Sequence, residues 1–166
     1  MADWNDLTRL AGEIGEKLKA RGETLAVSET SSGGLISAAM LSIGGASAYM
    51  RGGAVPYSQW SRGGLLGISQ DDIRQMGIRS SSEPYAALLA KTVREKVDTD
   101  WGLAETGAAG PTGNRYGDAA GHTCVAIAGA VSVARTLETA SDDREANMFA
   151  FAVEAMTLLN EALETP

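Results

Sequence analysis

The sequence predicts a single-domain α/β fold, a three-layer α/β/α sandwich around a mostly parallel sheet. Helix-period and strand-like apolar runs alternate along 166 residues, a length suited to one core. Two strand candidates run directly into glycine-bearing loops, Glu29–Gly34 and Gly107–Gly113, and such loops frame ligand sites at strand carboxyl ends. No repeat or low-complexity linker divides the chain.

The elements follow from periodicity and punctuation. Trp4, Leu7, Leu10, Ala11, Ile14 and Leu18 recur at helical spacing over 4–21, and Gly22 closes that helix. Thr24–Val27 is a short buried strand entering a hydroxyl-rich turn, and 33–42 is a helix ended by Ile43-Gly44-Gly45. A second strand covers 49–55, weakened by Gly52-Gly53. Short helices at 58–66 and 69–76 flank a turn at Gly67, and 82–96 is a helix with Tyr85, Leu88, Leu89 and Val93 on one face. Trp101–Ala104 is a strand feeding the second glycine loop, and 122–128 with 131–137 form a hairpin turning near Gly129-Ala130. The last helix, 143–164, is apolar around Phe149, Phe151, Met156 and Leu159, which suits a core element or a contact in a homo-oligomer.

Composition narrows the functions. Lys and Arg number 14 against 21 Asp and Glu, a net charge of −7, which argues against duplex nucleic acid and anionic membrane surfaces as partners. It leaves room for a small anionic ligand held by a few arginines. One Cys and one His make a disulfide framework or a His/Cys metal site in one subunit untenable, so neither metal nor cofactor is expected. Asp3, Asp6 and Glu13 interrupt any leader-like apolar stretch, and no run reaches membrane-spanning length. A cytoplasmic location is expected.

The chemistry concentrates in Glu29-Thr30-Ser31-Ser32-Gly33-Gly34. Three hydroxyls at a helix N-terminus meet unpaired N–H groups and the positive end of the helix dipole, which favour an anion or a developing oxyanion. The same segment suits a plain helix cap. His122, the sole histidine, suits acid–base work or a polar strand end, and Cys124 suits packing. The stretch 113–118 suits a substrate loop or a surface turn.

Four segments in order carry a resemblance: Glu29–Gly34, Gly52–Ser58, Thr106–Pro111 and Asp143-Arg144-Glu145. Together they resemble the CinA carboxy-terminal domain family, whose active members are nicotinamide mononucleotide deamidases. The resemblance implies a three-layer fold, metal-independent carboxamide hydrolysis and a tendency to oligomerise. The family's first motif is usually Glu-Ser-Cys-Thr-Gly-Gly with the Ser as nucleophile; Thr30 stands at that Ser, Ser31 at the Cys and Ser32 at the Thr. The lysine that activates the family's Ser is matched by Arg62, and the Gly before the Asp-Arg-Glu motif by Asp142. Tyr57, Thr106 and Arg144 match the family.

Arginine stays protonated and cannot act as that base, although it binds anions and oxyanions. Threonine is a competent but sterically narrowed nucleophile. The expectation is an amidohydrolase for a small polar, cyclic or nucleotide-like amide, with specificity shifted from nicotinamide mononucleotide. A binding protein that keeps the pocket without the dyad is the alternative. Thr30, Ser31, Tyr57, Arg62 and Thr106 form the expected catalytic set, with Glu29, Ser32, Gly33, Gly34, Gly107, Gly110, His122 and Arg144 around the substrate.

Overall fold

A computed structural model describes residues 1–165. The chain runs α1 (Trp4–Arg21), β1 (Leu25–Glu29), α2 (Leu35–Ser42), β2 (Met50–Ala54), α3 (Gln59–Ser61), α4 (Gln70–Met76), α5 (Glu83–Val97), β3 (Trp101–Ala108), β4 (His122–Ala128), β5 (Val133–Glu138) and α6 (Arg144–Ala162). The strands form one mixed sheet in the order β2-β1-β3-β4-β5. β1 pairs parallel with both β2 and β3, and the β4 hairpin adds two antiparallel pairings, so four of five strands share one direction.

The two sheet faces differ in side-chain size, and that difference sets the layers. Leu25, Val27, Trp101, Leu103, Val125 and Ile127 pack against α1, α2 and α6. The alternate residues Ala26, Ala104, Cys124, Ala126 and Ala128 meet α5. With period-two alternation, small residues on one face let a helix approach closely. Gly102 marks the limit, because a Cβ there would fall 2.0 Å from the Ala90 carbonyl oxygen of α5. The apolar last helix is core: Phe151, Ala152, Ala155, Met156 and Leu159 are fully buried.

Three expected boundaries move. β3 continues through Thr106 and Gly107 to Ala108, because the antiparallel pairing with β4 extends to Ala108↔His122. Gly107 is therefore a strand residue whose missing Cβ lets β4 approach, since a Cβ would lie 2.3 Å from the His122 carbonyl oxygen. The helix expected over 58–66 splits into α3 and a π-helical turn over Arg62–Leu66, closed by Gly67 in the left-handed region. The first glycine pair stays outside α2, with Gly34 as its N-cap at φ 103°.

Candidate functional site

β1 and β3 are parallel neighbours, so their carboxyl ends open on the same side of the sheet, with Glu29 opposite Glu105. A cleft of about 460 Å³ opens there. Thr30 comes from the turn after β1, and Thr106 and Gly107 from the end of β3. Pro56–Trp60, Arg62, Gln70, Ser80, Ser81, Tyr85 and Asn114–Tyr116 complete the lining. Among the described residues no carboxylate lines it, despite the net charge of −7.

The hydroxyl turn divides its side chains between two directions. Thr30 lines the cleft, and its Oγ1 has only a long 3.4 Å contact, to the Glu105 carbonyl oxygen. Ser31 turns inward and donates to the Glu105 carboxyl. Ser32 Oγ lies 2.8 Å from a carboxyl oxygen of Glu29 and 2.8 Å from one of Glu105. Glu29 itself faces α2 and accepts from the backbone N–H groups of Gly34 (2.9 Å), Ile36 (3.1 Å) and Ser37 (2.8 Å). It is a remote cap that satisfies helix-end donors otherwise buried and unpaired.

Glu105 is the residue the sequence analysis passed over. It is fully buried and collects Ser31, Ser32, Thr123 and the Thr30 backbone N–H. Burial raises its pKa and outweighs the opposing hydrogen bonds from Ser31, Ser32 and Thr123. Its one signal in sequence was a glutamate inside an otherwise apolar strand, one residue before a matched threonine.

Arg62 is buried at 4% exposure, and no carboxylate among the described residues pairs with it. Its Nε donates to the Ile68 carbonyl oxygen (3.2 Å) and Nη2 to the Gln70 side chain (2.8 Å), with the guanidinium 6.0 Å from the centre of the Tyr85 ring. A buried cation without a counter-ion invites an anionic or strongly polar ligand group.

The segment 113–118 contributes to the cleft wall. Asp118 anchors it by accepting from Arg79 at 2.6 and 3.0 Å and from Asn114 at 2.8 Å. The Tyr116 ring lies 5.5 Å from the Arg79 guanidinium and 5.3 Å from that of Arg115. Partial burial opposes its phenolate, but the Ser80 and Arg115 side chains and the charge on Arg62 outweigh burial and lower its pKa.

Several expected substrate contacts lie elsewhere. Ser32, Gly33, Gly34, Gly110, His122 and Arg144 do not line the cleft. Gly33 backs onto Met148, and Gly110 onto the Asp142 carbonyl. Arg144 donates to the Gly110 carbonyl oxygen and, at 3.2 Å, to the exposed Tyr57 hydroxyl, fastening the rim rather than pairing with Asp142 or Asp143. His122 is buried between Glu138 on Nδ1 and the Ser81 carbonyl oxygen on Nε2 (2.8 Å), with Asp118 at 3.7 Å. Burial works against its proton, yet Glu138, Ser81 and Asp118 outweigh burial and raise its pKa. Cys124 is buried, which raises its thiol pKa.

Comparison with known proteins agrees with this architecture. Residues 7–163 match the model of the CinA C-terminal domain. A CinA-like protein of a Nostoc species is 37% identical over 120 residues, 72% of this chain and 28% of that protein. A CinA-like protein of Syntrophus aciditrophicus is 40% identical over 119 residues, again 72% of this chain and 28% of the relative. The chain thus spans under a third of these relatives' length. Among solved structures, the competence damage-inducible protein A of Klebsiella pneumoniae superposes with a TM-score of 0.87 at 23% identity, covering 96% of this chain and 98% of that one. The competence or damage-inducible protein of Enterobacter asburiae gives 0.86 at 25% identity over 95% and 98%. The chain belongs to the CinA C-terminal domain family.

Proposed function

We propose that this domain is an amidohydrolase for a small polar, cyclic or nucleotide-like amide carrying an anionic or strongly polar group. The observation that carries the reading is the cleft itself: the Thr30 and Thr106 hydroxyl residues stand at its strand-end floor, a buried arginine stands in its lining, and among the described residues no counter-ion pairs with that arginine and no carboxylate lines the cleft. Thr30 Oγ1 attacks the amide carbonyl carbon and gives up its proton to a base. The tetrahedral intermediate collapses as the base returns that proton to the departing nitrogen, which leaves as ammonia from a carboxamide or stays tethered as the opened ring's nitrogen from a cyclic amide, and water releases the acyl group from Thr30. Arg62 binds charge and takes no proton. His122 lies behind Ser81, outside the cleft, so Tyr116 is the better candidate for the proton acceptor, supported by its place in the lining and by Arg115 and Arg62, which favour its phenolate. Homo-oligomer formation is part of the proposal.

The test is a hydrolysis assay on a panel of small amides and imides, read as ammonia release for carboxamides and as ring opening for cyclic compounds, with a thermal-shift screen of the same compounds. Nicotinamide mononucleotide should be turned over poorly by the natural chain, and Thr30→Ser with Arg62→Lys should raise its hydrolysis sharply. Stabilisation by panel compounds without hydrolysis of any of them would favour the binding-protein reading, which the engaged, non-basic Arg62 supports.

A further inference from the structure

Beneath the hydroxyl turn, one serine hydroxyl stands between two buried carboxyl groups. Ser32 Oγ lies 2.8 Å from Glu29 Oε1 and 2.8 Å from Glu105 Oε2. A serine hydroxyl has a single proton and can donate to only one of them. The other contact is a full hydrogen bond when a carboxyl group supplies the proton. Glu29 faces three backbone N–H groups at the α2 N-terminus, where acceptors and negative charge are favoured. Glu105 has no helix terminus and no cation beside it. Its partners are Ser31 and Thr123 on Oε1, and the Ser32 and Thr30 N–H groups with Ser32 Oγ on Oε2.

We infer that Glu105 is a neutral carboxylic acid that donates from Oε2 to Ser32 Oγ, which donates on to Glu29, and that this relay makes Glu105 the positioning residue for Thr30. The pair then holds one negative charge in the protein interior instead of two, removing a repulsion that no ion pair among the described residues offsets. The link to Thr30 is direct, because its N–H is shared between the Glu105 carbonyl oxygen (3.1 Å) and Oε2 (3.2 Å). Among the described residues, Glu29 is the one titratable side chain hydrogen-bonded to this relay; Thr123 of β4 and the turn serines supply the remaining partners. Burial of Glu105 points the same way. The consequence for turnover rests on the Thr30 reading, whereas the protonation state does not.

The experiment is carbon NMR of the full chain labelled at its glutamate carboxyl groups. Between about pH 5 and pH 8, above the ordinary glutamate range of about 4.3, one carboxyl carbon should keep the shift of a protonated acid. Glu105→Gln should remove that resonance, and Ser32→Ala should move it while leaving it present. Ionised shifts for every glutamate across that range would overturn the inference. The positioning role is read by amide hydrogen exchange. In Glu105→Ala and in Ser32→Ala, the Thr30 amide should exchange at least tenfold faster relative to Leu103 of the central strand. Equal acceleration at Thr30 and Leu103 would reduce Glu105 to a general stabiliser. Neither measurement needs a substrate, so they stand or fall apart from the hydrolase reading.

Discussion

Thr30 and Ser31 are neighbours with opposite duties, and the division can be measured. Ser31 donates to a buried carboxyl while Thr30 faces the cleft. Ser31→Ala should lower stability by about 1–3 kcal/mol, the usual cost of leaving a buried partner unsatisfied, and leave much of any turnover. Thr30→Ala should leave the melting temperature nearly unchanged and cut turnover by orders of magnitude. Thermal melts beside ammonia-release rates separate the two, and the reverse pattern would move the nucleophile to Ser31. At this scale the sequence showed which residue types gather in the turn, but not which way each points. The partner that draws Ser31 inward, Glu105, is 74 residues away. Glu29 was read as a substrate contact for the same reason: its targets, the N–H groups of Gly34, Ile36 and Ser37, carry no side-chain signature.

At the scale of elements, α5 lies so close to the sheet that the strand residues beneath it are small: glycine, alanine and Cys124. Gly102→Ala would place a methyl 2.0 Å from the Ala90 carbonyl oxygen and force α5 outward. The expected loss is about 3 kcal/mol or more, at or beyond the upper end of ordinary overpacking, with Leu103→Met on the roomier face as a milder control. Urea unfolding of both variants checks it, and a loss below about 1 kcal/mol for Gly102→Ala would mean that α5 yields easily. Helix and strand identity was legible because alternation and helical spacing are local. The end of β3 was not, since Gly107 resembles a loop glycine until β4 is seen pressing on it. The π-helical turn at Arg62–Leu66 was equally hidden, because its sequence signal is a pair of glycines that fits any turn.

For the whole molecule, the ionisable groups pull stability in two directions with pH. Asp118, paired with Arg79, and Asp100, hydrogen-bonded by Thr24, have lowered pKa values, so their contribution is lost as pH falls through those values. His122 and Glu105 have raised values in the folded state. The His122 contribution is fully present below about pH 6.5, its unfolded value, and is lost as pH rises through the folded one; that of Glu105 is likewise complete below about pH 4.3 and declines above it. The growing negative charge adds self-repulsion in the same direction. Melting temperature should therefore peak on the acidic side of neutrality, and His122→Gln should flatten the decline above about pH 6.5. An unchanged slope in that variant would show that Glu138 and Ser81 do not favour the ring's proton.

The cleft is floored by the ends of β1 and β3, which lie inside the sheet, whereas β2 and β5 form its edges. Edge strands open by local fluctuation, while the amides of interior strands exchange with solvent only when the whole domain unfolds. A ligand held over Thr30 and Thr106 should therefore slow deuterium uptake at Val27 and Leu103 by the full factor that it adds to the global unfolding equilibrium. The outer half of β5 should be slowed far less. Isotope uptake in two peptides, one central and one marginal, would thus report affinity for any compound without the compound's being known to react.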